Sequence, residues 1–530
     1  MTTTPASNPS GAPGTVAASK WLALTAMMFA VAMTFIDQTI VAIAAPDVQS
    51  ELSLSANGVT WMINAYILAL AAGFALGGRI ADVIGSRPTV LIGITGFAVS
   101  SGLCGATPAN SFAEAWMIVF RATQGLSAAL MIPAALAVVV AAFPVGERGK
   151  ALAIFFGVSG GLTAVGPIAG GYLTQWTWRS IFWINLPIAV IAIVLTILAG
   201  IHSRARREPI DWRGAALVAT GMGLSVLGFQ QARSWGWDNP WTWLCIVGGL
   251  AVIAVFVLVE ARTEHPLIKI RIFRGRAFAV DNGVLFFCMV AFISVFFFAS
   301  VYSQVALGYD ANNAGLYLLV VFAGFAPAAQ VGGRILDTRG AKPALLLGSL
   351  LGTAGFALWA WRVTELSLGD QWWCIVMAGA GMGLLVGPAS TDATNRAIDA
   401  SYGEVTGITQ TVRNYGSALG LAVLGTLLGN VFTSRFTDSL ITAGVPADQA
   451  PGIAAQAAAG TGGSAGSSGA PEAMVEQITN ALAADYAVAT QAVLYGMAAA
   501  LAISFVVSLL HPGDRVVDVA GDTTRAPAAP

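Results

Sequence analysis

A chain of 530 residues could hold two or three soluble domains, yet only 10% of it is Asp, Glu, Lys or Arg and 56% is hydrophobic, against roughly 25% charged in soluble proteins. Apolar windows of about 20 residues recur, each enough to cross a hydrocarbon layer about 30 Å thick, which excludes a soluble globular class and indicates an all-α integral membrane protein. The formal net charge of −1 says little about partners; no nucleic-acid partner is expected.

In chain order, residues 1–19 are rich in Pro, Gly, Ser and Thr, lack the basic start of a signal peptide, and read as a disordered tail. Six spans are expected near 21–45, 58–78, 89–106, 114–141, 151–173 and 179–201. Two more follow near 213–231 and 242–261, then a basic linker, then six near 277–303, 313–333, 343–361, 371–395, 405–431 and 486–510. Residues 432–485 contain a Gly/Ser/Ala-rich stretch that reads as a flexible outer loop, followed by a possible short helix. With the amino terminus in the cytoplasm, the outer segments hold only Arg179, Arg233, Arg362 and Arg435 of the 26 basic residues, and Arg121 and Arg413 lie within spans. That bias supports fourteen spans with both termini cytoplasmic.

One polar stretch is written twice. GGRIADVIGSRP (77–88) and GGRILDTRGAKP (332–343) match at a constant offset of 255, as in Gly78/Gly333, Asp82/Asp337, Gly85/Gly340 and Pro88/Pro343. Both copies join the second and third spans of a six-span unit. The expected domains are therefore a six-helix bundle over 20–203, two inserted helices over 204–262, a second six-helix bundle over 277–510 and a tail over 511–530. Parallel repeats of this kind point to a transporter with its site between the halves.

The four cysteines, Cys104, Cys245, Cys288 and Cys374, fall inside apolar runs with no metal-binding spacing. The three histidines, His202, His265 and His511, lie outside the spans, which argues against a histidine proton relay in the membrane. Asp37 lies about 13 Å deep at 1.5 Å per residue. An ionised carboxylate there costs roughly 2.5–3.5 kcal/mol, so it is expected to face a cavity and exchange a proton; the alternative is a structural acid bonded to Gln38, Thr34 or a neighbouring span. Arg121, inside span four, cannot shed its charge and needs an acceptor. Asp392 can pair with Arg396 at i+4, Asp281 lies near the basic linker, and both read as structural. The 255 offset carries Asp37 onto Phe292, so the second half has no matching acid. In GPIAGG, Gly166, Gly170 and Gly171 let backbones approach and Pro167 kinks the helix, a gating device or plain packing. The aromatic run of span nine reads mostly as lipid-facing; Trp61, Asn64, Tyr66, Phe286 and Arg413 are candidate pocket residues.

Gly78, Ile80, Asp82, Gly85 and Arg87 resemble the hinge of the major facilitator superfamily, from which Val83 and Ser86 depart. FIDQTIVAIAAP, with Asp37, Thr39, Val41 and Pro46, resembles the first-span signature of its fourteen-span drug:proton antiporters. RATQGLSAA, through Arg121, Gln124 and Gly125, resembles the fourth-span motif, and GPIAGGYL, with Gly166, Pro167, Gly170 and Gly171, the antiporter motif of span five, although Leu162 replaces a usual glycine. WRSIFWINLP and DWRGAAL are similar to this family too. The resemblance implies the major facilitator fold, two six-helix bundles plus two inserted helices. It also implies proton coupling through Asp37 and Arg121, and gating at Gly78, Asp82, Gly85, Arg87, Gly333, Asp337, Gly340 and Lys342. The expectation is a non-enzymatic, monomeric, proton-coupled antiporter of the plasma membrane. It would export hydrophobic small molecules, drugs or toxic metabolites, without a cofactor and with the proton gradient as energy source; the alternative is export of a lipid or a dedicated secondary metabolite.

Overall fold

The computed structural model describes residues 13–513 apart from 55, 145–146, 149, 153, 156–157, 159–161, 163–165, 167–168, 171, 201–209, 265, 268–269, 310, 397–401 and 459–471. Every regular element among the described residues is helical, because in lipid a helix satisfies its own backbone donors and acceptors. The first half contains α1 (Pro13–Leu52), α2 (Ala56–Ile84), α3 (Ser86–Gly105), α4 (Ala113–Ala142), the short α5 (Ser180–Trp183) and α6 (Asn185–Leu198). The inserted pair is α7 (Trp212–Trp235) and α8 (Pro240–Glu260). The second half contains α9 (Arg276–Val305), α10 (Ala311–Arg339), α11 (Ala341–Arg362), α12 (Leu368–Asn395), α13 (Tyr402–Thr442), α14 (Ala450–Ala458) and α15 (Glu472–Leu509). Thirteen helices among the described residues are long and apolar enough to cross a membrane. The expected span over 151–173 is described only in part.

The two halves are packed alike. In the first, α4 lies against α1, α2 and α3, and α6 against α1 and α3; in the second, α12 lies against α9, α10 and α11, and α15 against α9 and α11. The sequence reason is visible in glycines and prolines at the 255 offset. A Cβ on Gly77 would strike the Ala129 carbonyl on α4, and one on Gly332 would come within 3.3 Å of Leu384 Cα on α12. Pro133 inside α4 and Pro388 inside α12 stand at the same offset.

Gly85, between α2 and α3, has φ +98, and Gly340, between α10 and α11, has φ +82. Each is the N-cap of the helix that follows, with extended ψ, a region that only glycine enters without strain. The duplicated hinge is thus a backbone device at its glycine. Gly85→Ala and Gly340→Ala are each expected to destabilise the detergent-solubilised protein by about 1–3 kcal/mol, read as lower melting temperatures.

Two expected boundaries move. Helix α1 begins at Pro13, inside the segment read as a disordered tail, since proline suits the first turn of a helix. The outer segment 432–485 is helical over much of its described length: α13 runs on to Thr442, Ala450–Ala458 forms α14, and the expected short helix is continuous with the last span as α15. Phe432 stacks on Phe436 and meets Tyr486 edge-on, apolar anchoring that the Gly/Ser-rich composition obscured.

The halves meet where α2 and α4 pack on α13. A Cβ on Gly407 of α13 would lie 3.6 Å from the Phe74 carbonyl and 3.8 Å from Gly78 Cα. Helix α7 packs against both α2 and α13, whereas α8 leaves Trp241, Leu244, Val247 and Leu258 exposed, an apolar face suited to lipid.

Candidate functional site

Asp37 and Arg121 come from different helices and are both fully buried. Arg121 Nη1 donates to Asp37 Oδ2 and, at 2.8 Å, to Gln124 Oε1; Gln124 Nε2 donates to Asp37 Oδ1 at 2.9 Å. The three side chains close a ring. Two further contacts hold Arg121: its Nε donates to the Met62 carbonyl at 3.0 Å, and its guanidinium lies 4.5 Å from the centroid of the Tyr66 ring. The fourth-span motif now has a physical reading. Gly125 lets α4 seat against the Tyr66 carbonyl, since a Cβ there would collide with it. Arg121 and Gln124, one turn and one residue earlier, then face α1 together.

Gly166 packs on α1 in the same region, and a Cβ there would collide with Thr39 Oγ1. The glycine of the antiporter motif therefore abuts the helix that carries Asp37. Gly170 is buried, and its carbonyl accepts from the Thr174 hydroxyl at 2.8 Å. Pro167 and Gly171 lie outside the described residues.

A cavity of about 910 Å³ lies between the halves. Its wall is mainly apolar and aromatic, including Phe35, Phe74, Phe229, Phe292, Phe297 and Phe432, with the amides Gln38, Asn64, Gln230, Gln231, Gln410 and Asn414. Arg413 is the one charged side chain among the described lining residues, and no acid is among them. The cavity runs from Arg413 and Phe74 to Val305, Ala457 and Leu482, so it extends away from the hinges.

The structure redistributes several sequence expectations. Asp37 does not line the cavity; its neighbours Phe35 and Gln38 do, because helical geometry turns Asp37 toward α4. Of the candidate pocket residues, Asn64 and Arg413 line the cavity. Tyr66 is spent as the platform under Arg121, Phe286 packs on Phe287 and Tyr415, and Trp61 is half-buried away from the wall. The span-nine phenylalanines mostly turn inward: Phe292, Phe296 and Phe298 are buried, and Phe296 stacks on Phe322. Gln230 and Gln231 come from the inserted α7, for which the sequence offered no role. Asp82, Asp337, Arg87 and Lys342 are half-buried at the hinges, and Gly78 and Gly333 are buried.

Two bundles packed by the same helix pairs around one large intramembrane cavity define a membrane transporter. The chain belongs to the Major Facilitator Superfamily, whose profile matches residues 27–421. It is 33% identical to the tetracenomycin C resistance and export protein of Streptomyces glaucescens, over 84% of this chain and 81% of that one. It is 32% identical to the puromycin resistance protein pur8 of Streptomyces alboniger, over 77% of this chain and 82% of that one. Among solved structures it resembles the proton:xylose symporter XylE bound to 6-bromo-6-deoxy-D-glucose, with a TM-score of 0.55 and 15% identity over 84% of this chain and 95% of that one. That last likeness concerns the fold alone.

Proposed function

We propose that this transporter is a proton-coupled antiporter that exports bulky hydrophobic small molecules across the plasma membrane by alternating access. The observation that carries this reading is the double use of α1: Phe35 and Gln38 face the cavity, while Asp37 between them closes the ring with Arg121. Substrate wall and titratable acid thus share one turn of one helix. A proton arriving at Asp37 cancels its charge and weakens the bond to Arg121. The arginine keeps the Gln124 amide, the Met62 carbonyl and the Tyr66 ring, dipoles that lower without cancelling the cost of a buried cation whose carboxylate has been neutralised. The clustering of Lys and Arg supports a cytoplasmic hinge end, and with that orientation the cavity, extending away from it, corresponds to an outward-facing state. In that state the two hinges, with Asp82 and Asp337, act as a cytoplasmic latch.

Wall chemistry narrows the substrate. Phenylalanines suit flat apolar surfaces, and amides suit carbonyl and hydroxyl groups. A lone Arg413 with no acid on the described wall favours neutral or anionic molecules over lipophilic cations. The export and resistance functions named for the two similar Streptomyces proteins support this reading, and the first supports a dedicated secondary metabolite as the specific cargo. The test is uptake into liposomes holding the purified protein, under an imposed pH gradient, of a neutral polyhydroxylated aromatic dye, a lipophilic cation and a fluorescent lipid. We expect the dye to accumulate, the accumulation to collapse with an uncoupler, and the cation and lipid to stay near background. Accumulation of the cation alone, or of the dye without any pH gradient, would overturn it.

A further inference from the structure

The cavity between the halves changes character along its length. Helices α9 and α13 run side by side away from the hinges: a Cβ on Gly416 would strike the Phe286 carbonyl, and one on Gly420 the Val290 carbonyl. On α13 the lining residues nearest the hinges are Gln410, Arg413, Asn414 and Ser417, all polar, whereas from Ala418 to Phe432 every lining residue is apolar. The other amides of the wall can be placed on the same scale. Helix α7 starts at the hinge end, where Ala215 clusters with Ala75 and Val405. The turn that follows α7 is level with Thr426, to whose hydroxyl the Trp237 ring nitrogen donates. Gln230 and Gln231 lie more than one helical turn nearer the hinges than that turn. Asn64 Nδ2 donates to Gln231 Oε1 at 3.4 Å, and Gln38 belongs to the same level, since Asp37 beside it is bonded to Arg121, which reaches the Met62 carbonyl. Every amide on the described wall therefore lies on the hinge side of Thr426.

Beyond Thr426 lies a far lobe of different chemistry. It is walled by Val301 and Val305 on α9, Leu428 and Phe432 on α13, Ala457 on α14 and Leu482 on α15. These residues all belong to the second half. Tyr486 borders the lobe with its ring edge-on to Phe432. The side chains are mostly aliphatic, whereas the rings of Phe35, Phe74, Phe229 and Phe292 lie nearer the hinges, among the amides. The outer segment, which its composition presented as a flexible loop, thus supplies part of the cavity wall through α14 and the head of α15. From Arg413 to Phe432 the wall follows α13 for about 28 Å at 1.5 Å per residue. A compact molecule held by the amides leaves the lobe unfilled.

We propose that the far lobe is a chain-binding subsite, and that the cargo is an amphiphile: its oxygen-bearing ring system lies among the amides and phenylalanines, and its aliphatic chain runs along Val305, Leu428, Ala457 and Leu482. The proposal rests on the reading of the cavity as the cargo site and narrows the cargo to one chemical form. Water in the aliphatic part of the lobe meets no side-chain donor or acceptor. A chain that displaces it gains the transfer free energy of each buried methylene, about fourfold in affinity apiece. The polar stretch sets the other end of the molecule. Six amides (Gln38, Asn64, Gln230, Gln231, Gln410 and Asn414) against the single cation Arg413 suit carbonyls and hydroxyls better than a phosphodiester. The occupant is therefore a neutral head carrying one chain, and a two-chain phospholipid is the competitor that the test separates from it.

The test compares a neutral polyhydroxylated aromatic dye with its mono-octyl ether, binding by fluorescence polarisation to the full-length protein in lipid nanodiscs, with empty nanodiscs as the baseline. We expect the octyl ether to bind at least about tenfold more tightly than the parent dye, an advantage that a few buried methylenes supply. In Ala457→Trp, which fills the lobe, and in Leu482→Asn, which makes it polar, the two affinities should become nearly equal. Equal affinities in the wild type, or an advantage that both variants leave intact, overturns the subsite alone. Failure of both dyes to bind overturns the cargo reading and the subsite with it. An octyl ether tipped with a diazirine gives a readout that needs no variant: light should attach it to peptides of α14 or of the head of α15, and excess parent dye should prevent this. Attachment only to α8, or labelling of the α14 peptides by a diazirine phospholipid that the octyl ether does not displace, overturns the subsite as well.

Discussion

Asp37→Asn is expected to insert and fold yet to lose uphill transport, so that the tens-fold accumulation one proton can drive at about 100 mV falls to none. The geometry explains why fold and function separate. Asparagine retains one acceptor for Arg121, but its amide donor faces Gln124 Nε2, and turning the Gln124 amide would set that nitrogen against Arg121 Nη1, so the ring loses one hydrogen bond together with its titratable proton. Arg121 keeps the Met62 carbonyl and the Tyr66 ring as well. Counterflow of labelled against unlabelled substrate, which needs no proton, should persist. Accumulation by Asp37→Asn vesicles under a pH gradient would show that coupling lies elsewhere.

Gly166→Val should stop turnover for a different reason. A side chain there drives into Thr39 Oγ1 and crowds the Ile36 carbonyl, on the turn of α1 that carries Asp37. Overpacking of this kind costs typically 1–3 kcal/mol, and here it falls on the α1 contact that the proposed gating would have to break and re-form. Turnover in proteoliposomes is expected to drop at least about tenfold, 1.4 kcal/mol being a factor of ten, while substrate binding to the solubilised protein changes little, since Phe35 and Gln38 still line the cavity. Gly166→Ala should fall between. Wild-type turnover of the valine variant at equal expression would reduce the motif to ordinary packing.

The sequence was legible where chemistry is written in short local patterns. Hydropathy showed the spans, the duplicated hinge showed the two halves, and the motif around Arg121 showed a buried cation in need of an acceptor. Asp37 and Arg121 are legible in the sequence as charges within spans; that they meet is a matter of how α1 and α4 pack. What stayed hidden depended on rotation and on long-range contact. The side of α1 presented by Asp37 is decided by a few tens of degrees, and proximity in sequence to Phe35 and Gln38 says nothing of it. Tyr66 looked like a pocket residue because its conversion to a platform depends on how closely α2 approaches α4, which Gly125 sets. The approach of His511 to Asp392 and Asp281, at 3.2 and 3.6 Å, was invisible because the three are far apart in sequence and the decisive turn follows the last span. Repeat arithmetic, which correctly paired the hinges, pointed to Phe292 and passed over the buried Asp281 on the same helix.

Helix α7 carries a mechanical consequence. It is tied to the first half through Asn64 and Gln231, the turn that follows it is tied to the second half through Trp237 and Thr426, and its glutamines form part of the cavity wall. A strut fastened to two bodies cannot follow both if they rotate apart as the proposed alternating access requires, so in that cycle one seam has to slip. Val226 on α7 packs with Ala71 and Ala418, and Leu68 and Tyr415 pack against the same cluster. In the alternating-access cycle proposed above, the inserted α7 is then the place where the two halves have to slide past a shared neighbour, on one flank of the cavity.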